Sequence, residues 1–263
     1  MKNSFESPVS NWMVSPVFTI REDALLVEAA SRFDELRVSA LPVLDGSSRL
    51  TGIISRSDLM QAGRFVRESK ERERHLRLPE ARVSEFINTR VPVVRREVTL
   101  RSCARRMLKQ SIHRLYVAED GPLEGVVSTR EMLRAVAEAR VETPLGPILT
   151  RSVAAIPAEA TLSASMARLR ADSSLTLVVT RSSVPVGVFS HEEAVTAREA
   201  DPEDPVELWM DPSVLALPAE TPTYRAAESA YEARCRYIIS TEGESVTGLT
   251  SGIGFAELVA KPA

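Results

Sequence analysis

Lysine is almost missing from this 263-residue chain, with four against 29 arginines; histidine (three), cysteine (two) and tryptophan (two) are also scarce. Each scarcity excludes something. Cys103 and Cys235 have no metal-ligand spacing, so they read as reduced thiols rather than a disulfide framework or a zinc site. His75, His113 and His191 have no partner at ligand spacing. In His191-Glu192-Glu193 adjacent side chains point in different directions, so no metal is expected there. No apolar run reaches the length of a membrane helix. The N-terminus has no basic region followed by an apolar stretch, so a secretory leader is not expected and a cytoplasmic location is. A net charge of −3 argues against general nucleic-acid binding. No serine sits in a nucleophile elbow and no base stands beside one, so the chain is not expected to be an enzyme.

What the chain does have is repetition. Gly52-Ile53-Ile54-Ser55, Gly125-Val126-Val127-Ser128, Gly187-Val188-Phe189-Ser190 and Gly248-Leu249-Thr250-Ser251 recur at intervals of 73, 62 and 61 residues. Each has an apolar opening pair upstream: Trp12-Met13, Phe86-Ile87, Ile148-Leu149 and Trp209-Met210. From the second member of each pair to its glycine is 39, 38, 38 and 38 residues. Fixed periods of this kind mark one supersecondary unit written four times. Within each unit an extended stretch comes first, as in Val17-Phe18-Thr19-Ile20 and Val91-Pro92-Val93-Val94. A helix follows, with one apolar face (Leu26, Ala29, Ala30, Phe33; Leu100, Cys103, Ala104, Met107) and Thr99 or Thr161 as N-cap. Two short apolar strands around a turn come next, with Asp45-Gly46-Ser47-Ser48 and Glu119-Asp120-Gly121-Pro122 as turns. A second helix opens after each serine. The predicted unit is strand, helix, strand, strand, helix, with mostly buried sheets. Between the first two units lies a longer segment, 64–82, whose mixed charges at helical spacing predict a solvated helix. Its basic excess (Arg72, Arg74) keeps a nucleic-acid or partner contact open.

The chemistry-bearing pattern is Ser-x-x-acid: Ser55 with Asp58, Ser128 with Glu131, Ser190 with Glu193. In the fourth copy Gly254 stands where the acid would be. Two readings share this spacing. A serine N-cap with an acid three residues on is a capping box and needs no ligand. A helix start also attracts phosphate, with serine bonding phosphate or sugar and the carboxylate accepting from a ribose diol.

The four βαββα units closed by Gly-h-h-Ser-x-x-acid resemble the cystathionine-β-synthase (CBS) domain family, over about residues 8–260. The resemblance implies an α/β fold of four CBS repeats paired into two tandem Bateman modules. The first spans 8–140, with repeats at 8–68 and 82–140 and the charged linker 64–82. The second spans 141–263, with repeats at 144–200 and 205–260. It implies a non-catalytic regulator that needs no cofactor and binds an adenine nucleotide (AMP, ADP or ATP) in inter-repeat clefts. Carried over by motif, ribose and phosphate would meet Ser55, Arg56, Asp58, Ser128, Thr129, Glu131, Ser190 and Glu193. The adenine would meet the backbone of Val17, Phe18, Thr19, Val91, Pro92 and Val93. Ser111-Ile112-His113-Arg114-Leu115-Tyr116-Val117 resembles the His-Arg-Leu-Pro-Val stretch of the γ subunit of AMP-activated kinase. That implies phosphate contacts from His113 and Arg114, with Tyr116 in the place of proline; Arg236 is a further phosphate contact by position. Another adenosyl ligand such as S-adenosylmethionine stays open as an alternative. So does a ligand-free scaffold that forms a homodimer or docks a regulated partner protein.

Overall fold

A computed structural model of the chain describes residues 4–36, 38–67, 74–119, 122–150, 153–171, 176–197, 200–243 and 245–262. The expected unit is present four times. In the first, β1 (Ile20–Arg21) leads through α1 (Leu26–Leu36) to β2 (Ala40–Leu44), β3 (Leu50–Ser55) and α2 (Arg56–Ala62). A hairpin of β4 (Arg64–Arg67) and β5 (Arg74–Arg77) follows. The second unit is β6 (Val93–Val94), α3 (Leu100–Gln110), β7 (Arg114–Ala118), β8 (Leu123–Ser128) and α4 (Thr129–Glu138). The third is β9 (Ala154–Pro157), α5 (Leu162–Ala171), β10 (Thr176–Arg181), β11 (Val184–Ser190) and α6 (His191–Thr196). The fourth is β12 (Val214–Leu217), α7 (Thr223–Glu232), β13 (Tyr237–Glu242), β14 (Ser245–Ser251) and α8 (Gly252–Ala260). In every unit the first strand pairs parallel with the second, which pairs antiparallel with the third. A parallel pair needs a crossover, and the intervening helix supplies it. No helix among the described residues is long and apolar enough to cross a membrane.

The opening segments exchange partners. Val9 and Trp12, which precede the first unit, are buried in the core of the second, while Val83 lies in the core of the first. Backbone bridges repeat the exchange: Val14 pairs with Val126, Asn88 with Ile53, Thr150 with Leu249 and Asp211 with Val188, each through two hydrogen bonds of 2.8–3.1 Å. The motif glycines are where these crossings pass. A methyl carbon built on Gly125 would lie 2.5 Å from Met13 Sδ, and one on Gly52 2.9 Å from Ile87 Cβ. Gly187 faces Met210 and Gly248 faces Leu149 in the same way. Each opening pair thus rests on the glycine of the other unit in its module, not on the glycine 38 or 39 residues downstream.

The modules are joined by helices. α4 packs on α7 and α8, and α3 packs on α8. Leu100, Met107, Met132 and Val136 therefore share one core with Ala226, Ala230, Phe255 and Val259. Arg101 of α3 is almost wholly buried, pairs with Glu6 and donates to the carbonyl of Val259 at 3.1 Å. The first and third units meet through α2 and α6.

Several local expectations are corrected. Where a solvated helix is predicted over 64–82, the described residues form the β4–β5 pairing: alternation at Arg64-Phe65-Val66-Arg67 suits a strand as well as a helix, and cross-strand pairing decides. Arg72 lies outside the described residues, as do Asp120 and Gly121 of the second predicted turn. His191 is the first residue of α6. Cys235 follows the end of α7. Both cysteines are free thiols; burial pushes Cys103 up to about 12, which keeps it protonated and unreactive.

Candidate functional site

The Ser-x-x-acid motifs sit where β3, β8 and β11 run into α2, α4 and α6. At each, the serine is the N-cap and the acid closes a capping box. Asp58 Oδ2 accepts from Ser55 N at 2.7 Å and Ser55 Oγ at 2.6 Å. Glu131 Oε2 accepts from Ser128 N at 2.6 Å and Oγ at 2.7 Å. Glu193 Oε2 accepts from Ser190 N at 2.9 Å and from Ser190 Oγ. Of the two readings the spacing leaves open, capping is the one the geometry displays. The missing acid at the fourth unit has a steric reason. A methyl carbon on Gly254 would lie 2.2 Å from Thr250 Oγ1 and 3.1 Å from the carbonyl of Ile148.

Between the first, second and fourth units opens a cleft of about 960 Å³. One wall is apolar: Val14, Pro16, Val17, Phe18, Ala40, Pro42 and Val126. Five guanidinium groups line it (Arg56, Arg114, Arg130, Arg234, Arg236) against three carboxylates (Asp34, Glu131, Asp211). Asp34 offsets Arg56, and Glu192, Glu193 and Asp211 offset Arg236, so an anion in this concave site would meet Arg114, Arg130 and Arg234. The arginines are held to different degrees. Arg56 is paired with Asp34 at 2.8 Å. Arg114 Nη2 donates to Ser39 Oγ at 2.9 Å. Arg130 donates to the carbonyl of Tyr231 and lies 4.3 Å over its ring. Arg236 is surrounded by Glu192, by Glu193 at 3.0 Å and by Asp211 at 3.3 Å. Burial disfavours the Arg236 charge, but Tyr237 and these carboxylates outweigh it and raise its pKa. His113 is held below the ordinary imidazole value, by desolvation first and then by Arg236 and Arg114.

The predicted site residues divide. Val17, Phe18, Arg56, Arg114, Ser128, Glu131 and Arg236 line the cleft. Glu131 is buried, and its Oε1 carries no hydrogen bond among the described residues. Val91 and Val93 line a separate hollow of about 640 Å³ beside Arg49, Arg95 and Glu119. The Thr19 carbonyl accepts from Arg32, and the Pro92 carbonyl from Tyr116 N. Thr129 is the surface on which Gly252 of α8 rests. Ser55 and Asp58 bond each other and are not among the lining residues of the cleft. Ser190 and Glu193 are buried, with both Glu193 oxygens engaged, one by Ser190 and one by Arg236. Asp58→Ala is accordingly expected to lower stability by about 1 kcal/mol, as loss of a cap does. Calorimetric affinity for a cleft ligand should stay within twofold of the parent; a tenfold loss with unchanged melting would show the carboxylate engaged with the ribose instead.

Sequence reasoning missed Tyr116, Arg130, Arg234, Asp211 and Ser213 as lining residues. Tyr116 had a signal, an aromatic hydroxyl in an apolar strand. Asp211, Ser213 and Arg234 had none, because they reach the cleft from the other module.

The CBS domain family model matches residues 9–64 and 83–138. Residues 9–64 and 83–138 thus carry two CBS domains, and the architecture repeats the same unit twice more, giving the fold of four such repeats paired into two tandem Bateman modules. An uncharacterized protein of Methanocaldococcus jannaschii, MJ1426, is 24% identical over 154 residues, covering 49% of this chain and 90% of that protein. Two solved structures match over nearly the full length. MJ1225 of the same organism, described as an archaeal homologue of γ-AMPK, superimposes with a TM-score of 0.73 at 13% identity, covering 95% of this chain and 99% of its own. An uncharacterized conserved protein of Pyrococcus horikoshii gives 0.63 at 20% identity, covering 96% and 99%. At these identities the likeness is one of fold.

Proposed function

We propose that this chain is a non-catalytic regulator whose first module binds an adenine nucleotide, with AMP, ADP and ATP as the ligands to test first. The observation that carries the reading is the 960 Å³ cleft, apolar along Val14–Phe18 and β2 and rimmed by arginines. A flat base suits the apolar wall, and a phosphate suits Arg114 and Arg130. MJ1225, a fold relative over the whole chain, carries the γ-subunit name. The cleft draws residues from the fourth repeat as well as the first two, so occupancy would bias how the modules sit against each other. A ligand shifts such an equilibrium only by its differential affinity for the two arrangements.

The second module is assigned a supporting role, for a specific reason. Val178, Val188, Ile239 and Leu249 from the facing β10–β11 and β13–β14 hairpins form their own apolar cluster. The acid of that module, Glu193, is spent on Ser190 and Arg236.

Titration calorimetry with AMP, ADP, ATP and S-adenosylmethionine tests the proposal. Arg114→Ala is expected to weaken nucleotide binding by about tenfold or more, the loss of one charge-assisted bond. The ligand-free melting temperature should barely move, because Arg114 gives up one partly exposed bond to Ser39. Absence of heat with all four ligands at millimolar concentration, from folded protein, would sink the nucleotide reading.

A further inference from the structure

The four strand pairs at the module centres place one residue of each unit in an equivalent position, just before the residue opposite the motif glycine or its counterpart. These are Pro42 opposite Ile53, Tyr116 opposite Val126, Val178 opposite Val188 and Ile239 opposite Leu249. Three of the four side chains are wholly apolar. The second unit alone places a hydroxyl there. Tyr116 is 1% exposed, and the proton of its hydroxyl meets no acceptor among the described residues. Leaving a buried donor unbonded is costly, so three apolar counterparts and one orphan need an explanation.

The strand supplies one. Side chains alternate across a sheet, so Tyr116 shares its face with Arg114, while Leu115 and Val117 point into the core on the other face. The face carrying Arg114 and Tyr116 lines the cleft. Arg114 stands beside the hydroxyl and acts on its oxygen as a cation and as an N–H donor, while its Nη2 goes to Ser39. A guanidinium beside a hydroxyl turns the oxygen toward the cation and the hydrogen away. The hydroxyl is thereby set to donate.

We infer that Tyr116 is the residue that selects the ligand in this cleft, donating a hydrogen bond to an acceptor atom on the base, so that a base lacking that atom is rejected. The inference rests on the nucleotide reading and deepens it. The base lies along the apolar wall with a ring nitrogen at Tyr116, and the phosphate lies toward Arg114. The equivalent positions in the second module, Val178 and Ile239, present no donor, in keeping with a module that selects nothing.

The test is a cycle between one substitution and one ligand atom. Tyr116→Phe keeps the ring and removes only the hydroxyl. Dissociation constants are measured for AMP and for its 1-deaza, 3-deaza and 7-deaza analogues, each lacking one ring acceptor. With the parent protein one analogue should bind about tenfold more weakly than AMP. With Tyr116→Phe, AMP should fall to the level of that analogue, and the analogue itself should be unchanged. The ligand-free melting temperature should hold or rise, since a buried unpaired group is gone. AMP binding equally well to both proteins would overturn the inference, as would equal sensitivity of both to every analogue. If the parent protein binds none of AMP, ADP, ATP and S-adenosylmethionine, the nucleotide reading itself falls and carries the Tyr116 role down with it; if it binds ADP or ATP but not AMP, the same cycle is run on the deaza analogues of that nucleotide.

Discussion

Phe255→Ala is expected to cost about 3–5 kcal/mol, the range for truncating a fully buried phenylalanine. Phe255 has no exposed surface and packs in the core built jointly by α3, α4, α7 and α8. A cavity there is lined by both modules at once, so neither can close it by shifting alone. At a few degrees per kcal/mol for a chain of this size, the melting temperature should drop by roughly 10 °C. Because the core is continuous across the modules, the variant and the parent should each unfold in one transition, followed by circular dichroism and by tryptophan fluorescence. Trp12 reports the joint core, and Trp209 lies against the core of the third unit. Separate transitions from the two probes in the parent would show that the modules are independently stable. A loss below about 1 kcal/mol would show that the site collapses around the alanine.

Gly52→Ala is expected to cost about 1–3 kcal/mol, the penalty for overpacking. The new carbon would sit 2.7–3.0 Å from three atoms of Ile87, including Cβ, which is tied to the backbone and cannot swing aside. Ile87 flanks Asn88, whose backbone makes both bridging bonds to Ile53 at 2.9 and 3.0 Å. Displacing it therefore strains the crossing that pairs the first two units. Gly46 is the internal control. It lies in the turn after β2 with nothing within 4 Å of a built carbon, and Gly46→Ala should stay within about 0.5 kcal/mol of the parent. Urea denaturation of the three proteins decides it. Equal midpoints for Gly52→Ala and Gly46→Ala would mean that the motif glycine is not a contact point.

The repeat and its element order were legible because they are local. Apolar spacing such as Leu26, Ala29, Phe33 needs only the period of a helix, and the same three positions are buried in α1. The pairing of Met13 with Gly125 was not legible. Both residues were marked, but spacing along the chain couples Met13 to Gly52, and only the fold shows the crossing. At the site, the arginines and Glu131 were visible as residue types. Asp58 was not separable from its capping role, since the same three-residue spacing serves a ligand or the chain's own Ser55. Asp211, Ser213 and Arg234 were invisible for a different reason: they reach this cleft from the fourth unit, far along the sequence from the rest of its lining. Segment 64–82 went the other way, because alternating charge satisfies both a helix and a hairpin and only cross-strand pairing separates them.

The swapped openings set what this architecture can gain or lose in its history. A gene that dropped the first repeat would strip Val9 and Trp12 from a neighbour that buries them, and would leave Val83 with no core to enter. Lineages of such proteins should therefore grow and shrink by two repeats at a time, and a chain with three would need some other segment seated over the bared glycine.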